Sequence, residues 1–339
     1  MQHVNQQGAT RRTVLRAGAA AGTAAALGAA DLFAAGTASA ATTAVSGMRG
    51  LPYPSGVTDI SRCTPEAAKI FRGFFTAKSE HDLTALMSYF SRANTTYIDA
   101  CLGISLPSWQ AVASTFGPVF ASAPASAISY PLRIVGDTRS AVVELVDTPD
   151  LFVPQELRAL SSVTFDSQGK IIRWVDYWDG RSSLIQNAIA SSYPADFNDA
   201  EQNADPAVVA AGRKLQAAFA AGDAAAAVAL MSYDVVHEDM AAHTRVRGQL
   251  QARRYYTRAL GQLPYGPGAA LVHAEGSRQG GGYEWSATPV AAPMRRGHTC
   301  IELDQAGQIS RLTVIYDSSQ LSYPAYQSLA GLAAEAPLS

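Results

Sequence analysis

The chain has 339 residues, more than one average domain of roughly 100–200 residues, so its length predicts two domains. Lys and Arg together number 26 and Asp and Glu 28, and the resulting net charge of −2 gives no electrostatic basis for binding nucleic acid or an anionic membrane. With 48% hydrophobic and 16% charged residues, the chain is globular rather than disordered. Its three cysteines exclude a disulfide-rich scaffold and show no zinc-ligand spacing, and the sequence leaves open whether Cys63 pairs with Cys101.

The first 40 residues have the pattern of an export signal. Paired arginines precede a mild apolar stretch, and a small-residue cleavage pattern follows at Ala38-Ser39-Ala40. Together they resemble a twin-arginine signal peptide, which implies cleavage near Ala40 and Ala41 and an exported protein. The apolar stretch is shorter than the ~20 residues needed to cross a bilayer, and no other segment predicts a membrane span. Residues 41–60 contain several Pro, Gly and Ser and are interpreted as a lead-in segment.

One unit of the remaining sequence occurs twice. Leu-Met-Ser-Tyr at residues 86–89 recurs at 230–233, and Glu-x-x-x-Thr-Pro at 144–149 recurs at 284–289. The offset between copies shortens along the chain, which indicates small loop deletions within a duplicated unit. The units are placed at residues 61–190 and 204–330, and the segment between them has turn chemistry.

Both units have the same order of predicted elements. Each begins with an amphipathic helix, at Pro65 and at Pro206, where the first helical turn accepts proline. A short helix with the Leu-Met-Ser-Tyr motif, a brief strand that ends at Asp99 or Asp239, and a third helix follow. Three or four strands close each unit. Helices followed by a run of strands predict an α+β fold, with the helices on one face of the sheet.

This order of elements resembles the cone-shaped fold of nuclear transport factor two and its relatives, which include SnoaL-like polyketide cyclases, ketosteroid isomerase and limonene-epoxide hydrolase. The resemblance covers both units and implies two tandem cones, each a curved antiparallel sheet covered by about three helices. No cofactor is implied, and the fold hosts both enzymes and binding proteins, so individual residues have to decide the function. Because single-unit relatives are commonly homodimers, two cones in one chain predict a monomer with an internal pseudo-dimer packed sheet to sheet.

The strongest local match lies in the last strand of unit one. Residues 174–179, Trp-Val-Asp-Tyr-Trp-Asp, are similar to the W-x-D-Y-aromatic-D motif of limonene-epoxide hydrolases, which implies that Asp176 acts as general base toward a water. Tyr97-x-Asp99 is similar to that family's Tyr-x-Asn, a pair that positions the water. Glu144 lies on the strand where the family has an acid that protonates the epoxide oxygen. Two residues earlier, valine replaces the arginine that orients both acids in the family.

Strand alternation predicts that Trp174, Asp176 and Trp178 share one face. Two tryptophans beside a carboxylate in an apolar cone exclude water and raise the carboxyl pKa, which suits an acid or a base. Trp174, Trp178 and Phe74 are therefore assigned to substrate binding. The alternative interpretation is a hydrogen-bonded structural aspartate between two core tryptophans.

Unit two keeps Asp239 and Glu284 but has valine in the position of Asp176. His237 joins these two acids as a predicted substrate contact. A metal site of His237, His273 and Glu284 is conceivable, but no ligand spacing supports it, and no metal is predicted. Unit one is therefore expected to hold the better acid/base set.

Together these residues predict a cofactor-independent acid/base enzyme for a hydrophobic small molecule, of the polyketide or polyether cyclase or epoxide-hydrolase type. In epoxide opening or ring closure, Asp99 or Asp176 would activate the attacking hydroxyl while Glu144 donates a proton to the epoxide oxygen. The alternative is a secreted protein that binds a small ligand without catalysis. The missing arginine, and the absence of the oxyanion donors that ketosteroid isomerases use, favour that alternative.

Overall fold

The computed structural model describes residues 52–54, 56–184, 203–288 and 294–334. The predicted signal, most of the lead-in segment and most of the segment between the units lie outside these described residues. Among the helices within these ranges, none is both long enough and apolar enough to span a membrane.

Unit one combines three helices with a seven-stranded sheet. The helices are α1 (Pro65–Ser79), α2 (Leu83–Met87) and α3 (Trp109–Ser122); the strands are β1 (Asp59–Cys63), β2 (Thr96–Asp99), β3 (Ile104–Leu106), β4 (Ser129–Gly136), β5 (Ser140–Asp147), β6 (Leu157–Phe165) and β7 (Ile171–Trp178). The strand order is β1-β4-β5-β6-β7-β2-β3. The pairs from β4 to β7 are antiparallel as expected, whereas β1 joins β4, and β2 joins β7, in parallel. The predicted α+β class is confirmed, with a mixed rather than purely antiparallel sheet.

Unit two repeats this arrangement with a six-stranded sheet. Its helices are α4 (Pro206–Ala220), α5 (Ala224–Ala229), α6 (Gln249–Ala259) and α7 (Tyr323–Gly331); its strands are β8 (Met231–Asp239), β9 (Thr244–Arg247), β10 (Ala269–Ser277), β11 (Gly280–Ala287), β12 (Arg296–Leu303) and β13 (Ile309–Ile315). The strand order is β10-β11-β12-β13-β8-β9. One local prediction is wrong, because the second Leu-Met-Ser-Tyr motif begins strand β8 instead of lying on a helix.

The first helix of each unit begins in the same way. Thr64 and Asp205 accept hydrogen bonds from the backbone nitrogens of Ala67 and Ala207, each followed by proline in the first turn. These caps satisfy backbone donors that the helix leaves unpaired. The apolar side of α1 then packs onto the inner face of the sheet, where Phe71 contacts Trp174 edge-on.

The outer faces of the two sheets contact each other, with β10 and β11 against β4, β5 and β6. Equivalent residues make reciprocal hydrogen bonds across this contact. Asp179 accepts from the backbone nitrogen of Ser318 at 2.7 Å, and Asp317 accepts from that of Gly180 at 3.1 Å. Such exchange between equivalent positions is what two-fold related surfaces produce.

None of Cys63, Cys101 and Cys300 forms a disulfide in the described part of the chain. The Cys101 thiol donates to the carbonyl of Trp178 at 2.7 Å, which ties the end of β7 to the turn after β2. The strand before this turn, β2, carries the first predicted catalytic residues, Tyr97 and Asp99.

Candidate active site in unit one

Two carboxylates emerge side by side from the parallel pair β2 and β7. In its register Tyr97 lies opposite Trp174, and Asp99 lies opposite Asp176. Partners on neighbouring strands point to the same face, so these side chains enter the space between the sheet and the helices together. Asp99 and Asp176 are both half-buried, and both line one cavity.

Asp176 is held by three donors. The Tyr97 hydroxyl donates to Oδ2, while the Ser161 hydroxyl and Trp174 Nε1 donate to Oδ1, the latter at 2.6 Å. Burial raises the pKa of this carboxyl above its usual range, although the nearby Lys78 ammonium and the three donors oppose the rise. The donors therefore favour an ionised Asp176 that is more basic than an exposed aspartate.

Asp99 has a different set of partners. Its Oδ1 accepts from the backbone nitrogens of Cys101 and Leu102 at 2.9 and 2.7 Å, and Trp178 Nε1 lies 3.0 Å from Oδ2. Burial outweighs these hydrogen bonds, the charge of Asp176 adds to its effect, and the pKa of Asp99 rises to about 7. Near neutral pH Asp99 thus exchanges its proton readily.

The cavity is narrow and mostly apolar. Its volume is about 50 Å³; at roughly 10–15 Å³ per water it has room for about four waters. Besides Tyr97 and Trp178 at the acidic end, the apolar lining consists of Leu102, Ile104, Leu106, Phe116, Val119, Phe152, Val153 and Leu157. Asp147 also lines the cavity and accepts a hydrogen bond from Lys78 Nζ at 2.8 Å. The charge of this third carboxylate is therefore already compensated by an ion pair.

Glu144 does not enter this cavity, and its predicted role as the proton donor is wrong. Across the antiparallel strands Glu144 lies opposite Leu160 and Leu160 opposite Tyr177, whereas Ser161 lies opposite Asp176. Because adjacent strand residues point to opposite faces, Glu144 projects away from Asp176 and toward unit two.

Two arginines bind Glu144 on that outer face. Arg133 Nε lies 3.1 Å from its carboxylate and Arg158 Nε lies 3.0 Å from it. Burial alone would raise the pKa of Glu144, but these guanidinium groups outweigh it and hold the pKa below its usual range. A carboxyl that stays ionised in a buried ion pair cannot deliver a proton.

The three aromatic residues predicted to contact substrate differ in whether they reach the cavity. Trp178 lines the cavity. Trp174 touches the site only through its hydrogen bond to Asp176, and its ring stacks on Phe74 at a centroid distance of 4.7 Å. Phe74 is 2% exposed and belongs to the core, so its assignment to substrate binding is wrong.

In unit two, the space that corresponds to the cavity is filled by aromatic side chains. His237 and Asp239 lie opposite Leu312 and Val314, the register positions that Trp174 and Asp176 occupy in unit one. Both are fully buried, and their assignment to substrate binding is wrong. The hydroxyls of Tyr265 and Tyr316 donate to Asp239 Oδ2 at 3.3 and 3.2 Å, while burial raises the pKa of Asp239 to about 7 and lowers that of His237 to about 3.

Glu284, the counterpart of Glu144, also faces the other unit. Arg173 Nη2 lies 2.5 Å from its Oε1, and the Tyr177 hydroxyl donates to Oε2 at 2.8 Å. Burial would raise the pKa of Glu284, but the Arg173 guanidinium holds it well below its usual range. Its predicted contact with substrate is wrong for the same reason as that of Glu144.

Three contributors to the site were missed at the level of sequence. Ser161 bonds Asp176, and the ion pair of Lys78 with Asp147 borders the cavity. A serine on a strand and an ion pair separated by 69 residues have no sequence signal, since only the register of the sheet brings them together.

No protein-family model matches the sequence, and the search of curated proteins found no match. Among solved structures, the chain is similar to a steroid delta-isomerase from Pseudomonas aeruginosa (18% identity, 39% of this chain and 93% of that chain, TM-score 0.32). A candidate SnoaL-like polyketide cyclase from Shewanella denitrificans OS-217 matches at 13% identity over 36% of this chain and 98% of that chain, with a TM-score of 0.31. An NTF2-like protein of unknown function from Burkholderia xenovorans LB400 matches at 18% identity over 36% and 91%, with a TM-score of 0.28. The names NTF2-like, SnoaL-like and steroid delta-isomerase all belong to the fold that the order of elements in each unit resembles. The likeness concerns the fold alone.

Proposed function

We propose that unit one is a cofactor-independent acid/base enzyme that acts on a small, mainly apolar molecule. The observation that supports this most is the opening of Asp99 and Asp176 into one cavity from paired positions of β2 and β7. Two adjacent carboxyl groups with different hydrogen-bond partners can take opposite roles in proton transfer.

The hydrogen-bond partners of each carboxyl support a separate role for each. Asp176, held by three donors, is the base, and Asp99, with its pKa near 7, is the acid. The pKa of Tyr97 is raised well above its usual value, first by burial and then by Asp176, so its hydroxyl remains a neutral donor that orients the base. In this assignment Asp99 has the proton-donating role first predicted for Glu144.

The specific reaction we propose is epoxide opening, either by water or by a hydroxyl of the substrate that closes a ring. The attacking oxygen forms a bond to an epoxide carbon and gives its proton to Asp176. The carbon–oxygen bond of the epoxide breaks, and its oxygen takes the proton of Asp99. Solvent then returns a proton to Asp99 and removes the one on Asp176, so no further reactant is needed.

Turnover of an epoxide panel tests this proposal. Half of the panel carries an internal hydroxyl, and ¹⁸O-labelled water distinguishes hydrolysis from ring closure by product mass. We expect Asp176→Asn to lower kcat by roughly 10²–10⁴-fold, the usual contribution of a general base. Asp239→Asn is the matched control, because it changes the same residue type at a fully buried position of unit two and should leave kcat unchanged.

The alternative function has its own outcome in the same experiment. If folded wild-type protein turns over no member of the panel but calorimetry detects binding of intact compounds, the enzyme proposal fails and a non-catalytic ligand-binding protein is supported. Equal loss of kcat in Asp239→Asn and Asp176→Asn would also contradict the roles assigned to unit one.

We also propose that the protein is exported and works as a monomer. The arginine pair and cleavage pattern within residues 1–40 support export. The reciprocal hydrogen bonds of Asp179 and Asp317 support an internal pseudo-dimer, in which unit two covers the surface that a second copy would cover.

A further inference from the structure

Four buried side chains of the types that bind metal ions lie between the two sheets. They belong to strands β10–β12 of unit two, whereas the proposed acid/base pair lies on β2 and β7 of unit one. His273, Glu284 and His298 are direct cross-strand partners on β10, β11 and β12. Glu275 lies two residues along β10 from His273, so all four side chains point to the same face. All four are 0% exposed. One ligand atom from each of His273, Glu275 and Glu284 lies within 4.8 Å of the others.

Unit one shows what this position needs for packing alone. The equivalent row there is Arg133, Glu144 and Leu160, an ion pair beside a leucine. In unit two the glutamate is kept, but His273 replaces the arginine and His298 the leucine. Glu275 on β10 replaces Val135, which lies two residues after Arg133 on β4. The duplicated unit thus has a His/Glu/Glu/His set where its copy has one glutamate paired with the arginines Arg133 and Arg158.

Glu275 has an oxygen without a hydrogen bond. Its Oε1 is bonded to His298 Nε2, but Oε2 has no hydrogen-bond partner among the described residues and lies 3.9 Å from His273 Nε2. A metal ion about 2.0–2.1 Å from each of two ligand atoms can bridge a separation of up to about 4.2 Å. The gap between Oε2 and Nε2 therefore has the size of a shared cation, and buried polar atoms in native proteins rarely lack a partner.

A glycine lies opposite Glu275, where the strands pack closely. Gly282 is the cross-strand partner of Glu275. A Cβ atom on Gly282 would lie 2.6 Å from the carbonyl oxygen of Thr299, 2.8 Å from Cγ2 of Val142 and 3.0 Å from Cε1 of His298, closer than side chains normally approach. A larger residue would therefore disturb the packing of the strands beside the cluster.

We propose that His273, Glu275 and Glu284 bind one divalent transition-metal ion, with Zn²⁺ the best fit and His298 orienting Glu275. Imidazole and carboxylate ligands together suit Zn²⁺, and they also bind Co²⁺. Unit one supplies the outer contacts of the site. Arg173 and Tyr177 both bind Glu284, and the Tyr177 ring stacks on His298 at 5.7 Å. The ion would therefore link β10 to β11 at the face that contacts unit one, and it has no part in the chemistry of Asp99 and Asp176.

Metal content of the full chain, produced without a polyhistidine tag, tests the proposal. The protein is unfolded in chelator, refolded with Zn²⁺ and desalted, because the buried site requires the ion during folding. Elemental analysis should then find about one Zn²⁺ per chain. We expect Glu275→Gln and His273→Gln to retain less than one tenth of that. His243→Asn, which changes an exposed histidine outside the cluster, is the matched control and should retain all of it.

Two further readings on wild-type protein keep the test decisive if a variant fails to fold. Protein refolded with Co²⁺ should absorb in the visible region as a low-symmetry Co²⁺ site does. At a hundred-fold excess of Zn²⁺ over its dissociation constant, the melting temperature should rise by roughly 5–10 °C. A wild-type protein with less than 0.1 metal per chain after refolding, or equal metal content in Glu275→Gln and wild type, overturns the proposal and leaves a buried ion-pair network.

Discussion

Replacing Asp99 with asparagine should lower activity and should make the variant more stable relative to wild type as the pH rises from 4 to 8. The change keeps the shape of the side chain and removes its ionisation. Burial is the main reason that the pKa of Asp99 rises from 3.8 to about 7 in the folded protein. A buried group that is costly to ionise lowers stability wherever the solvent requires it to be charged.

The sign and size follow from proton linkage. Below pH 4 both the folded and the unfolded chain hold the proton of Asp99. As pH rises from about 4 to 7, the unfolded chain has lost this proton while the folded chain retains it, so the free energy of unfolding falls; above pH 7 it levels off. A shift of about three pKa units corresponds to about 4 kcal/mol at roughly 1.36 kcal/mol per unit. Water in the cavity makes this an upper value for a half-buried group.

The assay is urea unfolding of wild type and Asp99→Asn between pH 4 and 8, followed by tryptophan fluorescence. Three of the four tryptophans, Trp109, Trp174 and Trp178, lie in unit one and report on it. The asparagine amide faces the Trp178 donor, which adds a cost that does not depend on pH. The test is therefore the slope: the stability of the variant relative to wild type should increase by up to about 4 kcal/mol from pH 4 to 8. A difference that is constant over this range refutes the reasoning.

Other substitutions and one hydrodynamic measurement test the remaining parts of the account. Glu144→Gln leaves the buried Arg133 guanidinium with less compensation and should cost about 3–5 kcal/mol of unfolding free energy without loss of kcat; unchanged denaturation curves would contradict it. Lys78→Met removes the ion-pair partner of the Asp147 carboxylate beside the cavity, and thermal unfolding should show a loss of about 3–5 kcal/mol; an unchanged melting temperature would contradict it. Residues 41–339 should sediment as a compact monomer, because unit two occupies the sheet face of unit one; a tight dimer would argue against the internal pseudo-dimer.

The order of elements in each unit could be predicted because it depends on local signals. Proline in the first turn of α1 and α4, caps at Thr64 and Asp205, and the repeated motifs all act over a few residues. The pairing of Asp99 with Asp176 could also be predicted, because these residues lie on the two strands whose motifs resemble those of limonene-epoxide hydrolases most.

The placement of Glu144 could not be predicted in the same way. Its direction depends on the register of three antiparallel strands, and a slip of one residue in any of them would turn the side chain to the opposite face. The repeat of Glu144 as Glu284 gave the better indication, because each lies in a buried ion pair on the outer face of its sheet. The cluster around Glu275 likewise depends on pairing between β10, β11 and β12 that no spacing motif records.

The proposed function depends most on one carboxyl of the site being protonated while the other is ionised. Infrared difference spectra between wild type and Asp99→Asn at pH 6 measure this directly, because a protonated carboxyl has its own carbonyl stretching band and the buried Asp239 cancels between the two proteins. We predict that the substitution removes one protonated-carboxyl band, which in wild type disappears as the pH is raised through about 7. If the difference spectrum at pH 6 shows instead that Asp99 contributes only the bands of an ionised carboxylate, Asp99 is not the acid. The assigned roles of Asp99 and Asp176 are then wrong.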